Sequence, residues 1–375
     1  MIRPIAFYLP QYHPISENDE WWGKGFTEWT NVAKAKPLFK GHHQPNLPGE
    51  LGFYDLRVPE VREQQAALAR EHGIEGFMYW HYWFAGKRML ERPFQEVLAS
   101  KKPDFPFCLA WANESWTGIW YGEAKRILIE QTYPGAKDYE SHFYALLDAF
   151  RDPRYITVEG KPLFCIYKPF CLPDVSLIIS MWQKLAKKEG LKGVYFVGFT
   201  SNVERDYHPL MESGFDGVHF QRIPEAVEHI VKHQYIYRLG RKLNRLGLNN
   251  RHIAQGVFDY SQYIQHLTKP TDVTENMYPV IIPNWDNSPR SGRKSQIVKN
   301  STPELFRKHV KDVFCLLKQK PPEQRIVFIK SWNEWAEGNY LEPDNQFGRK
   351  YLEVLKEEID HYEMEETNKA PLKDR

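Results

Sequence analysis

The sequence predicts a single-domain (β/α)8 barrel, and three observations point to it. Eight short apolar runs recur along the 375 residues, at 5–9, 76–83, 105–111, 163–167, 194–199, 217–220, 278–282 and 325–330. Amphipathic stretches separate most of them, at 59–72, 89–100, 137–150, 174–189, 204–213, 303–318 and 347–362. The first run ends in Pro10-Gln11-Tyr12-His13, without the glycine-rich phosphate turn that an open doubly wound sheet places there.

Each element has a local reason. Ile5-Ala6-Phe7-Tyr8-Leu9 is apolar at consecutive positions, as a parallel strand covered on both faces must be. Residues 14–57 then form a long connection rich in Pro, Gly and Trp. Pro59-Glu60 opens the first covering helix, since proline at the first helical position lacks only an N–H that would go unused. The other apolar runs repeat the pattern, most with a helical stretch behind them. Ser301-Thr302-Pro303-Glu304 is a capped helix start of the same kind. Residues 222–277 stand outside the repeat, as a helical insertion between the sixth and seventh strands. Six basic residues (Lys232, Arg238, Arg241, Lys242, Arg245, Arg251) and no acid lie between Glu228 and Asp259. Such a run is a solvated helix face or, in the sharper reading, a membrane-surface or glycolipid contact over 229–258. The barrel then spans 1–362, and 363–375 is a polar tail expected to fray.

Composition narrows the function. Fifty Lys+Arg against 48 Asp+Glu give a net charge of +2, so no nucleic-acid partner is expected. No apolar run reaches the roughly 18 residues of a spanning helix. Met1-Ile2-Arg3-Pro4 leads directly into a strand, with no secretory leader pattern. Cys108, Cys165, Cys171 and Cys315 lack C-x-x-C spacing and read as buried thiols of a cytoplasmic protein. Aromatic residues are abundant, with 12 Trp, 21 Tyr and 22 Phe. Flat apolar faces with polar tips suit sugar rings, provided that they gather where a ligand binds.

In this fold functional groups project from the carboxyl ends of the strands. Those positions hold Tyr12 and His13; His81, Tyr82 and Trp83; Trp111, Asn113, Glu114 and Trp116; His219; Trp285 and Asp286; and Asn333 and Trp335. All of these are candidate substrate contacts. Glu334 and Glu337 are the sharpest signal, because a helical turn puts both carboxylates on one side. A pair of carboxylates around one glycosidic bond supplies an acid and a base or nucleophile. Crowding them against Trp faces should raise at least one pKa. No serine elbow, Walker loop, dinucleotide fingerprint or H-E-x-x-H is present. His229 and His233, four apart, have no acidic third ligand nearby, so no metal and no cofactor is expected.

The runs Phe7-Tyr8-Leu9-Pro10-Gln11-Tyr12-His13-Pro14, Gly25-Phe26-Thr27-Glu28-Trp29, Tyr79-Trp80-His81-Tyr82-Trp83-Phe84, Asn284-Trp285-Asp286-Asn287-Ser288-Pro289-Arg290 and Trp332-Asn333-Glu334-Trp335-Ala336-Glu337-Gly338 together resemble the WbsX family. That family is named for glycosyltransferases of O-antigen and capsule clusters, and it is similar to glycoside hydrolase family 99, the endo-α-mannosidases. The resemblance implies a (β/α)8 barrel whose Glu334 deprotonates a sugar 2-hydroxyl while Glu337 protonates the leaving group. An anhydro-sugar intermediate and retained configuration would follow, without a metal. Three functions are therefore open. They are a retaining hydrolase of α-mannoside- or α-rhamnoside-type linkages, an O-antigen, capsule or lipopolysaccharide glycosyltransferase, and a non-catalytic carbohydrate-binding barrel. Each takes an oligo- or polysaccharide as partner.

Overall fold

The computed structural model describes residues 1–118, 123–233, 256–274 and 276–369. Eight strands form its centre. They are β1 (Arg3–Tyr8), β2 (Gly76–Phe84), β3 (Phe107–Trp111), β4 (Lys161–Ile166), β5 (Tyr195–Thr200), β6 (Gly217–Phe220), β7 in two pieces (Met277–Tyr278 and Val280–Ile281) and β8 (Ile326–Ile329). Neighbours in the chain pair in parallel, and β8 returns to pair with β1. Pro279 has no N–H to offer the ladder, so β7 breaks there. Its first piece pairs with β6 and its second with β8, which closes the barrel.

All nine residues of β2 are buried, as a strand with core inside and helices outside requires. Gly76 opens that strand where the backbones crowd. A Cβ there would stand 2.4 Å from the Pro106 carbonyl oxygen, so only glycine fits. Eight helices follow the strands in turn: α1 (Pro59–Glu71), α2 (Arg92–Ser100), α3 (Ala136–Phe150), α4 (Val175–Lys188), α5 (Val203–Glu212), α6 (Ile223–His233), α7 (Pro303–Leu317) and α8 (Lys350–Lys369). Side chains of Asp174, Asn202 and Thr302 accept from the first-turn amides of α4, α5 and α7 and so fix their starts.

Inside the barrel lies an aromatic plug. Phe7 stacks on Phe199 at 5.7 Å, and His219 packs edge-on against Phe199 and Phe328 at 4.4 and 4.7 Å. Trp80 stands edge-on to Phe7 at 5.3 Å.

Several expectations need correction. Residues 14–57 carry two short helices, Ser16–Trp22 and Glu28–Lys34. The segment 222–277 begins with α6, the barrel's own sixth helix. Later in it Gly256–Asp259 joins Gln296–Lys299 and Trp285–Asp286 in a small separate sheet. Residues 234–255, with five of the six basic side chains, lie outside the described residues, and so does most of the expected membrane contact. Helix α8 runs past 362 to Lys369, because Glu365 and Glu366 pair with Lys318 and Arg325 at 2.6 and 2.9 Å. Cys108 and Cys165 are buried, but Cys171 and Cys315 are exposed. Among the described residues no helix is long and apolar enough to cross a membrane.

Candidate active site

β8 leads into a hairpin, Asn333–Glu334 paired with Asn339–Tyr340, joined through a single 3-10 turn over Trp335–Glu337. Three residues per turn bring Glu334 and Glu337 to the same side, near enough for each carboxyl to shift the other's pKa. Gly338 ends the turn at φ 65°, and a Cβ there would meet the Asp286 backbone nitrogen at 2.7 Å. Both facts demand glycine.

The hairpin is held from below. Asn333 reproduces a strand partner for Leu9, accepting from its N–H at 2.7 Å and donating to its carbonyl at 3.1 Å. The Tyr12 hydroxyl donates to the Asn333 carbonyl and accepts from the Trp335 N–H. Trp335 stacks on Tyr340 at 3.8 Å, and its indole N–H donates to buried Glu342 at 2.6 Å. Glu342 also accepts from Tyr54 and Gln65, yet burial pushes its carboxyl up to about 7.

Above the hairpin opens a cavity of about 390 Å³ at the carboxyl ends of the strands. Glu334 and Glu337 form one side of it, and Trp22, Trp80, Tyr82, Trp116 and Tyr167 supply aromatic walls. The Trp80 indole donates to Glu334 at 3.0 Å. Arg290 reaches Glu337 at 2.5 Å and stands 4.0 Å from Glu334. Its other edge grips Glu28 at 2.9 and 3.0 Å. Lys330, also on the wall, holds its ammonium 4.7 Å over the Trp285 ring.

These charges separate the two carboxyls. Burial, and then the neighbouring Glu337, push Glu334 well above the usual carboxylate range. Burial acts the same way on Glu337 but is outweighed by Arg290 and Lys330, so Glu337 lies below that range. Burial and crowding thus favour a shared proton on the pair, and Arg290, nearer to Glu337 than to Glu334, favours the negative charge on the Glu337 side.

Of the residues the sequence nominated, Glu334, Glu337, Tyr82, Glu114 and Trp116 line this cavity. The rest are placed elsewhere. Tyr12, Asn333 and Trp335 are the buried supports just described. His81 meets His142 at 2.8 Å behind β2, and burial lowers its pKa to about 3. Trp83 stacks on the same His142 and donates to Asp138. Trp111 is fully buried and donates to the Trp83 carbonyl. Asn113 ties the β3 loop to the β4 loop through both backbone groups of Lys168. His219 belongs to the aromatic plug, and His13 is buried, with its pKa lowered to about 4 by that burial. Trp285 carries Lys330, and Asp286 faces a second cavity of about 310 Å³, where it accepts from His42 and Gln44. Sequence reasoning missed Trp80, Arg290, Glu28 and Lys330. Among the described residues no cluster of three metal-ligating side chains occurs.

Comparison with known proteins agrees with this architecture. The solved GH99 endo-α-mannosidase of Bacteroides thetaiotaomicron superposes with a TM-score of 0.57 at 15% identity, over 98% of both chains. A structure described as a glycoside hydrolase-like protein gives 0.58 at 15% identity, over 95% of this chain and 93% of its own. At such identities the likeness establishes the barrel fold. Two Xanthomonas campestris pv. campestris proteins, from strain B100 and a second strain, share the description "Uncharacterized protein WxcX". Each is 37% identical over 361 residues, which is 95% of this chain and 49% of theirs. The chain thus spans about half the length of the curated relatives it matches. The family described as Glycosyltransferase WbsX matches residues 4–355, and with nearly the whole length covered the chain belongs to that family.

Proposed function

We propose that this protein is a retaining glycoside hydrolase of cell-surface polysaccharide, cleaving α-mannoside- or α-rhamnoside-type linkages with the sugar's own 2-hydroxyl as internal nucleophile. The observation that carries this reading is the Glu334–Glu337 carboxyl pair facing an aromatic-walled cavity, with Arg290 at 2.5 Å from Glu337 and 4.0 Å from Glu334. Acid and base on one scissile bond are what glycoside chemistry uses, and a raised pKa keeps the acid loaded at neutral pH.

In this reading the roles run in the opposite order to the one the family-99 resemblance implies, because Arg290 lies nearer to Glu337 and supports its charge. Glu334, which holds the proton, gives it to the leaving oxygen as the C–O bond breaks. Glu337, held ionised, takes the proton of the 2-hydroxyl, and that oxygen bonds to the anomeric carbon. Glu334 then removes a proton from water, which opens the anhydro-sugar at the anomeric carbon, and Glu337 returns its proton to the 2-oxygen. Trp116 and Tyr82 offer the faces on which sugar rings stack. A sugar hydroxyl in place of water would make the same chemistry a transfer, which is the activity the family's description names.

Mass spectrometry of products separates these outcomes. Wild type would be incubated with α-mannan, rhamnan and O-antigen polysaccharide, with and without GDP-mannose and dTDP-rhamnose. Shortening without a nucleotide sugar is the expected result; lengthening that requires a donor would make the protein a transferase. Glu334→Gln and Glu337→Gln should each lose at least about 10² in turnover on O-glycosides. On α-mannosyl fluoride, whose leaving group needs no proton, Glu334→Gln should recover. Recovery of Glu337→Gln instead would restore the roles implied by the resemblance.

A further inference from the structure

Glu28 lies in the connection after β1, 262 residues before Arg290 in sequence, yet the two side chains meet under the cavity. Oε1 and Oε2 of Glu28 accept from Nε and Nη2 of Arg290 at 3.0 and 2.9 Å, a two-point contact that occupies one whole edge of the guanidinium. The Glu28 side chain is fully buried, and Asn31 donates to it at 3.0 Å from the same short helix. Its backbone N–H is tied to the carbonyl of Gln11, three residues past β1. Arg290 is likewise only 10% exposed. The nitrogen that faces the carboxyl pair is Nη1, at 2.5 Å from Glu337 and 4.0 Å from Glu334.

A guanidinium with a free two-nitrogen edge bridges paired carboxylates readily. Here Glu28 fills the Nε–Nη2 edge, so both glutamates face Nη1, Glu337 at 2.5 Å and Glu334 at 4.0 Å. We infer that Glu28 is a positioning residue for the carboxyl pair: by filling the Nε–Nη2 edge of Arg290, it aims the remaining arm at Glu337 and keeps the guanidinium off Glu334. The loop after the first strand thereby decides where the proton sits in the loop after the last. Without the charge at Glu28, Arg290 turns its edge toward both carboxyls, and Glu334 gives up its proton at lower pH.

The inference builds on reading Glu334 and Glu337 as the reacting pair, but its main test needs no substrate. Carboxyl-13C-glutamate NMR would follow the titration of both groups, with Glu334→Gln and Glu337→Gln supplying the assignments. In Glu28→Gln the Glu334 titration should fall by at least about one pH unit, a change large enough to read against wild type. The alkaline limb of kcat/KM should move the same way, whereas a merely structural role would lower activity at every pH alike. A folded Glu28→Gln with an unmoved Glu334 titration overturns the inference. Should that variant not fold, Arg290→Lys keeps the charge but has no edge to fill, and it should shift Glu334 too; an unchanged titration there also overturns it. A wild type inactive on every glycan would remove the proposed function, while the titration would still judge Glu28.

Discussion

The two sides of the cavity are built on opposite plans. On the side of the β1, β7 and β8 loops, Glu28, Arg290, Glu337 and Glu334 form a closed chain of charge in which each member is held by its neighbour. On the side of the β2 and β3 loops the surface is aromatic and looser. Trp116 is partly exposed and stands edge-on to Trp21, Tyr82 and Phe84 at 6.0, 5.0 and 5.8 Å. Glu114 is half exposed and meets Lys168 only at 4.0 Å. The difference fits a division of labour. Proton transfer needs charges fixed before the substrate arrives, since reorganising them would cost rate. Ring stacking tolerates small movements, because it depends on area and not on one angle.

That division is open to attack at its two tryptophans. Trp335→Ala should destabilise the fold by about 3–5 kcal/mol, as for other large buried aromatics, and abolish activity with it. It is 1% exposed, lies under the carboxylate turn and donates to Glu342. Trp116→Ala should instead leave thermal stability close to wild type and weaken glycan binding, read as a higher KM with little change in kcat. If both variants melted early, the aromatic side would be core and the contrast would collapse.

How much of this was legible in the sequence depends on parity. The eight strands and seven of the eight covering helices follow from apolar runs and amphipathic spacing, because burial of whole strands leaves little ambiguity. The eighth helix, α6, was hidden because its segment ran on into basic residues that read as an insertion. The carboxylate pair was legible because a turn of three residues has one outcome. The aromatic contacts were not, since consecutive residues of a strand face opposite ways. His81, Tyr82 and Trp83 could not all reach a ligand. Tyr82 faces the cavity with Trp80, whereas His81 and Trp83 face His142 of α3. Past the strand ends, Gln11 lines the cavity while Tyr12 is buried beneath it, and Ala112 lines it while Trp111 is packed away. Arg290 and Glu28 were quoted as parts of motifs, but only folding brings the two motifs together.

Glu342 sharpens the comparison through pH. Its carboxyl is raised by burial to about 7, above the roughly 4.3 of an unfolded glutamate. Its protonated form is therefore favoured by folding. The stabilisation is complete below the unfolded pKa and is lost as pH rises through about 7. Taken alone, the shift corresponds to roughly 3–4 kcal/mol between those limits. Urea midpoints of wild type should therefore fall between acid and alkaline pH, and Glu342→Gln, which cannot ionise, should show a flatter profile. Parallel profiles would mean that Glu342 remains ionised throughout and that the turn is held by charge.

The smallest expected effect tests whether the supports below the turn are only supports. Tyr12→Phe removes one hydroxyl, which bridges the Asn333 carbonyl and the Trp335 N–H. The ring itself is fully buried between Trp29 and Tyr54 and should stay in place. Losing a buried bridge of this kind should cost about 1 kcal/mol in stability. The Trp335 N–H would be left to loosen the turn, so kcat should fall severalfold while KM holds. A raised KM at unchanged stability would instead make Tyr12 the substrate contact that its place after β1 suggested. The two outcomes differ because a group that touches the sugar changes its binding, whereas a group that touches only the backbone of the Trp335–Glu337 turn changes where the carboxylates stand.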